Sequence, residues 1–283
     1  MNFMAQYSHS KLSTFEQCKL KYKFRYIDKI KPEIEQSIEA FLGSCVHSTL
    51  EWLYTLKKDE GKVPSIDDVI VHYTEVWQEG FSEDFLIVKE SQGYNYKSYF
   101  DMGITFLLNY YMRKYPFNEN TLALEKKINF NIGEKNKNYI IGFIDRLVHD
   151  LDEDTLEIHD YKTSNFLPSQ EKMDADRQLA LYSIAIKKEF GHDKKIKLIW
   201  HYLAHNTEIH SERTHEELEQ LKIDINALIE VIESTSDFPY NKSALCDWCE
   251  FKDICPAWGN SPEKIEKYDK IDKYPTLKKY MKE

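Results

Sequence analysis

In the first part of the chain, apolar side chains recur every three or four positions. Leu12, Phe15, Tyr22 and Tyr26 fall on one helical face together with Cys18, and Ser10 stands where a cap belongs. Leu42, Val46, Leu50 and Leu53 form a longer stripe that predicts a helix from Ile38 to Asp59. Helical spacing continues through Asp67–Glu79 and Lys97–Lys114. Pro116 ends the last of these, because its ring and missing N–H cannot continue a helix. The pattern then changes. Leu122–Ile132, Asn138–His149 and Thr155–Lys162 are short, rich in branched and aromatic residues, and read as strands, with Asp152-Glu153-Asp154 as a polar turn between the last two. Asp174–Phe190 returns to helical spacing, Lys195–Ala204 and Thr207–Arg213 read as another antiparallel pair, and Thr214 caps a helix that runs to Ser234. A cysteine segment and a Lys/Tyr-rich tail follow. Helices, then strands around one helix, then more helix predict an α/β (α+β) core with helical additions.

Composition narrows the class. With 283 residues the chain is long enough for one large domain with appendages. Its net charge of -10 argues against a protein that coats duplex DNA by charge alone. It does not argue against a site where acids gather around metal ions. No stretch reaches the length of a membrane-spanning helix, and the N-terminus lacks the charged and apolar regions of a secretory signal. Five cysteines are too few and too uneven for a secreted disulfide framework, so a reducing cytoplasm is expected, with thiolates free to bind metal.

The chemistry concentrates in Asp145, Asp160 and Lys162. A hairpin centred between Asp152 and Glu153 sets Asp145 opposite Asp160, where opposed Cβ atoms lie about 4.5–5.5 Å apart. Two carboxylates that close repel unless a cation lies between them. Lys162 leaves the strand on the same face as Asp160. Asp-x-Lys also occurs on exposed hairpins that carry ordinary surface charges. Here Ile140, Ile141, Ile144, Leu147, Leu156 and Ile158 make both strands too apolar for a solvated hairpin, so the acids need compensation. His47 offers a third ligand, and Gly43 one turn earlier allows a close approach to another element; a histidine packed against a neighbour reads equally simply. Gln178 and Tyr182 lie one turn apart and face the same way, which also describes a polar edge beside the Leu179/Leu181 core. At the far end, Cys246, Cys249 and Cys255 can fold around one centre, with Cys18 supplied from the start of the chain. Four thiolates suit a [4Fe–4S] cluster or a structural Zn2+. Cys45, beside Val46, reads as ordinary core.

Taken in order, these residues resemble the RecB-type branch of the PD-(D/E)XK nuclease superfamily, and within it the iron–sulfur members that include the AddB nuclease domain and the small CRISPR-associated exonucleases. The resemblance runs through Ser8-His9-Ser10-Lys11-Leu12-x2-Phe15-x2-Cys18, Gly43-x3-His47, Gly142-x2-Asp145, Asp160-Tyr161-Lys162, Gln178-x3-Tyr182 and the last three cysteines. It implies a restriction-endonuclease-like core in which helices flank a mixed central sheet. One nuclease domain would span 1–283: a mainly helical part over 1–120, the catalytic sheet over 121–213, a helix and cysteine segment over 214–260, and a tail over 261–283. His47, Asp145, Asp160 and the Tyr161 carbonyl would bind Mg2+ or Mn2+. Lys162 would position the attacking water and steady the phosphate charge, Gln178 and Tyr182 would contact DNA or orient the site, and Glu125 on the preceding strand would be an accessory. Cys18, Cys246, Cys249 and Cys255 would hold the [4Fe–4S] cluster, since one cysteine plus three matches these nucleases better than zinc does. The proline that names the superfamily is absent before Asp145.

The function implied is a cytoplasmic, metal-dependent DNA exonuclease acting on single strands or ends in repair, recombination or CRISPR adaptation. No Gly-x4-Gly-Lys-Ser/Thr motif occurs, so the chain has no helicase motor of its own and works alone or with a helicase or CRISPR adaptation partner. Three alternatives stand beside it: a non-cleaving iron–sulfur module that binds DNA ends, the nuclease subunit of a helicase complex, and a zinc-stapled regulatory protein.

Overall fold

The strand Asn138–Asp150 (β3) organises the sheet. Thr121–Asn131 (β2) runs antiparallel along one of its edges, from Thr121 opposite Val148 to Asn131 opposite Tyr139. Two strands share the other edge. Ala5–Tyr7 (β1) lies parallel to β3 at residues 138–140, and Thr155–Lys162 (β4) lies antiparallel from Asp150↔Thr155 to Arg146↔His159. Between them, residues 141–145 of that edge form a fork. Lys195–Tyr202 (β5) pairs parallel to β4, and Thr207–Glu212 (β6) closes the sheet antiparallel to β5. The sheet is therefore mixed, as the resemblance implied. The computed structural model describes residues 5–32, 36–133 and 138–259; the expected tail lies outside them.

Helices cover both faces. On one face, His9–Gln17 (α1), Gln178–Phe190 (α7) and His215–Ser234 (α8) pack with Ile140, Ile144, Leu147, Leu156 and Ile158 of the central strands. On the other, Ile38–Glu60 (α3), Ile66–Gly80 (α4) and Tyr96–Lys114 (α5) enclose a second core. The predicted α3 stripe is buried there, and so is Cys45. Each such aliphatic side chain contributes about 1.5–3 kcal/mol on full burial.

The boundaries differ from expectation in four places. Strand β1 has only three residues, too short for periodicity to reveal. Because β1 delivers an extended backbone to Ser8, Ser8 rather than Ser10 caps α1, its Oγ accepting from Lys11 N at 3.1 Å. The helix expected to run on through Cys18 breaks there: Cys18 is extended (φ -159°, ψ 111°), and a short helix, Lys19–Tyr22 (α2), begins after it. The helix expected from Asp174 is likewise two pieces, Gln170–Asp174 (α6) and α7. Arg213 holds that break open by donating to the carbonyls of Met173 (2.8 Å) and Asp176 (3.0 Å), so α7 starts at Gln178.

The core under α3 and α5 contains a fully buried guanidinium. Arg146 donates to Tyr161 Oη at 3.1 Å and to His159 Nδ1 at 3.1 Å, and lies over the Tyr54 ring at 4.1 Å. Burial and the adjacent Arg146 charge hold His159 well below the ordinary histidine range. Arg146 thus ties β3 to β4 at their last paired residues. We expect Arg146→Ala to lower the unfolding free energy in urea by about 3–5 kcal/mol, with little recovery in Arg146→Lys, whose point charge cannot span both partners. A loss below about 1 kcal/mol would show the guanidinium to be dispensable.

Candidate active site

The site forms where β2 and β3 turn over. In a regular strand, residues two apart share a face. Leu124, opposite Arg146, packs with the α3–α5 core, yet Ile144, opposite Lys126, belongs to the α7–α8 core. Lys126 reaches Glu189 of α7 at 2.8 Å. The face switches at Glu125 and Asp145, which lie between these pairs. Glu125 takes the left-handed backbone conformation (φ 42°), which a non-glycine residue adopts only under strain. The switch lets a β2 carboxylate and a β3 carboxylate meet a side chain from α3.

That side chain is His47. Ligand atoms of His47, Glu125 and Asp145 all lie within 4.8 Å of one another. His47 Nε2 donates to the Tyr161 carbonyl at 2.7 Å, because a carbonyl can only accept. His47 Nδ1 faces Asp145 Oδ2 at 3.4 Å, an attractive contact only with a proton or a cation between them. The same Asp145 oxygen accepts from Tyr161 N at 2.8 Å. Burial, then the Asp160 charge, pushes the Asp145 carboxyl up to about 6. Burial, then the Asp145 and Glu51 charges, pushes Glu125 up to about 7. An imidazole, two carboxylates wanting positive charge and a peptide carbonyl make a donor set that fits a hard divalent cation.

Asp160 sits beside this group, held differently. Its Oδ2 is 2.7 Å from Lys162 Nζ and its Oδ1 accepts from Gln178 Nε2 at 2.9 Å, while Lys162 donates to Gln178 Oε1 at 2.9 Å. Burial favours a neutral Lys162, but the Asp160 and Asp145 charges outweigh it and raise its pKa. The hairpin register agrees with the expected one: continuing it past Arg146↔His159 sets Asp145 against Asp160. Gly142 is needed because the Tyr182 ring lies where a side chain would stand, 2.6 Å from a Cβ built there. Gly43 likewise lets α3 approach Thr163, whose Oγ1 would be 3.2 Å from an added Cβ. His47, Asp145, Asp160, Tyr161, Lys162, Gln178 and Tyr182 thus converge. The sequence left Glu125 as an accessory and missed the role of Arg146; a charged residue beside Asp145 in an apolar strand was the available signal.

Cys18, Cys246, Cys249 and Cys255 line one cavity between the two ends of the described chain. Asn241 N donates to Cys18 Sγ and Ser243 N to Cys246 Sγ, each at 3.4 Å. Burial pushes the Cys249 and Cys255 thiols up. Phe24 packs on Phe251 with ring centroids 5.5 Å apart, and Glu250 pairs with Lys21 and Arg25. Four thiols with amide donors are the residue types that a thiolate-bound metal centre uses, but no three of these sulfurs come within 4.8 Å of one another as the ligand atoms of His47, Glu125 and Asp145 do.

Residues 6–256 match the family model of the PD-(D/E)XK nuclease superfamily. No curated protein matches. Among solved structures, SSO0001 is 19% identical with a TM-score of 0.37, covering 77% of this chain and 96% of its own. A protein named "Putative exonuclease" from Eubacterium rectale is 13% identical with a TM-score of 0.48, covering 90% of this chain and 89% of its own. At those values neither structure adds to the family match.

The crowded carboxylates have a consequence for stability. Asp145 and Glu125 bind protons more tightly folded than unfolded, so without metal their contribution falls as pH rises from about 4 to about 7. In EDTA at pH 8, Asp145→Asn is expected to unfold later than the native sequence by on the order of 2 kcal/mol, a few degrees in Tm. The difference should shrink at pH 5 and reverse in saturating Mg2+. Thermal melts check this; a variant no more stable in EDTA at pH 8 would show that the site carries no such strain.

Proposed function

The chain belongs to the PD-(D/E)XK nuclease superfamily, and from that premise we propose that it is a divalent-metal-dependent DNA exonuclease whose cutting site is built from His47, Asp145, Asp160, Tyr161 and Lys162. The observation that carries this reading is the meeting of the His47, Glu125 and Asp145 donor atoms within 4.8 Å, beside a lysine ion-paired to Asp160. His47, Asp145, Asp160 and the Tyr161 carbonyl, with Glu125 as accessory, would hold Mg2+ or Mn2+, which supplies Lewis acidity toward phosphate oxygens and lowers the pKa of water.

The protein groups have separate tasks. Lys162 carries a fixed positive charge toward the phosphate and positions the attacking water. Gln178 fixes both Lys162 and Asp160, so neither side chain has to search for its rotamer. Tyr182, seated on Gly142, walls the site on the α7 side. The water oxygen bonds to phosphorus, the ester P–O bond breaks, and the leaving oxygen takes up a proton. Single strands and DNA ends are the proposed substrates, in repair, recombination or CRISPR adaptation, with the protein acting alone or beside a helicase. Among the described residues no helix is long and apolar enough to cross a membrane. The free thiols favour the reducing cytoplasm.

The four cysteines are proposed to hold a [4Fe–4S] cluster that staples α1–α2 to the segment after α8; structural Zn2+ is the competing occupant. The shared cavity and the amide donors to sulfur support a bound metal centre.

Asp160→Ala and Lys162→Met are each expected to slow hydrolysis by about 10²–10³-fold in Mg2+ or Mn2+. The assay uses DNA labelled and blocked at either end. Degradation equal to that by the native sequence would remove the assignment and leave a module that only binds DNA ends. Anaerobically purified protein should carry about four irons per chain and absorb visible light. Cys249→Ser should lose iron, melt lower and bind DNA less well before the chemistry itself suffers. Unchanged melting and metal content in that variant would refute the staple, and zinc in place of iron would refute the cluster.

A further inference from the structure

Next to the cutting site lies a groove of about 680 Å3 that no step of the hydrolysis uses. Its walls come from five parts of the chain: the start of α3 with Glu39; Lys89; Met102 and Phe106 of α5; Phe166 after β4; and Leu245 and Trp248 of the cysteine segment. Its inner end meets the site, because Leu42 and Thr163 also line it. Thr163 follows Lys162 directly, and Gly43, which contacts Thr163, stands one helical turn before His47. The lining is mostly apolar; of its four large rings Tyr99 and Phe106 are buried, while Phe166 is 62% exposed and Trp248 40%. Phe166 is presented by a turn in which Ser164 Oγ accepts from Phe166 N at 3.0 Å, and Lys172 Nζ stands 4.9 Å from its ring.

The geometry points to this groove as the track of an unpaired nucleic-acid strand, with bases stacked on Phe166 and Trp248 and the backbone led to Lys162. This rests on the nuclease reading of the adjoining site. In a duplex the faces of the bases are covered by their neighbours and only edges and phosphates are offered. An apolar wall with exposed rings therefore suits a strand whose base faces are free. Continuity with the carboxylates selects a nucleic acid over a peptide as the occupant. Leu245 and Trp248 flank Cys246, and Cys249 follows Trp248, so whatever binds the cysteines also sets one wall of the track.

Fluorescence anisotropy in EDTA, with a short labelled single-stranded deoxyoligonucleotide and its duplex, tests this on the full chain with its cysteine metal in place. Phe166→Ala and Trp248→Ala should each weaken single-strand binding about 5- to 100-fold. Trp248→Phe should retain most of it, and duplex binding should move little. Turnover of the p-nitrophenyl ester of a nucleotide, too small to reach the groove, should keep its kcat in all three. Unchanged single-strand affinity in folded, metal-loaded alanine variants would overturn the track. Equal losses on duplex would do the same, as would a dimer that Trp248→Ala dissociates, since the groove would then be a self-interface. If Asp160→Ala still cuts DNA, the nuclease assignment fails while the binding result stands; if it is inactive and the groove variants bind normally, the groove alone fails.

Discussion

Everything in the site follows from placing carboxylates closer together than water alone would tolerate. Asp145, Glu125 and Asp160 gather where burial has removed most of the solvent that would screen them. The folded chain compensates only in part. Asp160 has Lys162 and Gln178, whereas Asp145 has a peptide N–H and a histidine nitrogen at 3.4 Å. The residual demand for positive charge is what would suit the site to a cation. The same demand means that the metal-free protein carries stored electrostatic strain.

Backbone irregularity makes the gathering possible. A regular β2–β3 ladder would send Leu124 and Lys126 to one face and Glu125 to the other. The left-handed Glu125 turns the ladder over within one residue. The fork in the other edge of β3 then leaves Asp145 free to accept from Tyr161 N across the opening. Behind the fork, Arg146 bridges Tyr161 and His159, so the two strands diverge from a fixed point. Rigid support on one side and broken pairing on the other let a peptide group, two strand carboxylates and a helix histidine share one small volume.

Much of this was legible in the residues. Periodicity located α3, α4, α5, the central strands and α8 to within a residue or two, because each buries an unbroken apolar stripe. Turn chemistry gave the β3–β4 register, and with it the approach of Asp145 to Asp160. The starts and breaks around Ser8, Cys18 and Ala175 were not legible. They are decided by distant partners: the stretch of β3 that pairs with the three-residue β1, amide donors near Asn241, and Arg213. The resemblance gave Glu125 only as an accessory, and its strained backbone was not legible at all, for a similar reason. Nothing local marks a glutamate in a strand for a positive φ; only the packing of Leu124 and Lys126 against opposite layers requires it.

A net charge of -10 looks unsuited to a protein that handles a polyanion. The structure divides the problem. Long-range attraction, which scales with clustered surface cations, is given little material here. Close to the site the structure offers more: the Lys162 ammonium held between Asp160 and Gln178, and a donor set of a kind that fits a divalent cation. For a nuclease of this composition, recognition rests on the geometry of the carboxylate site rather than on net charge, which argues against a role in coating a duplex along its length.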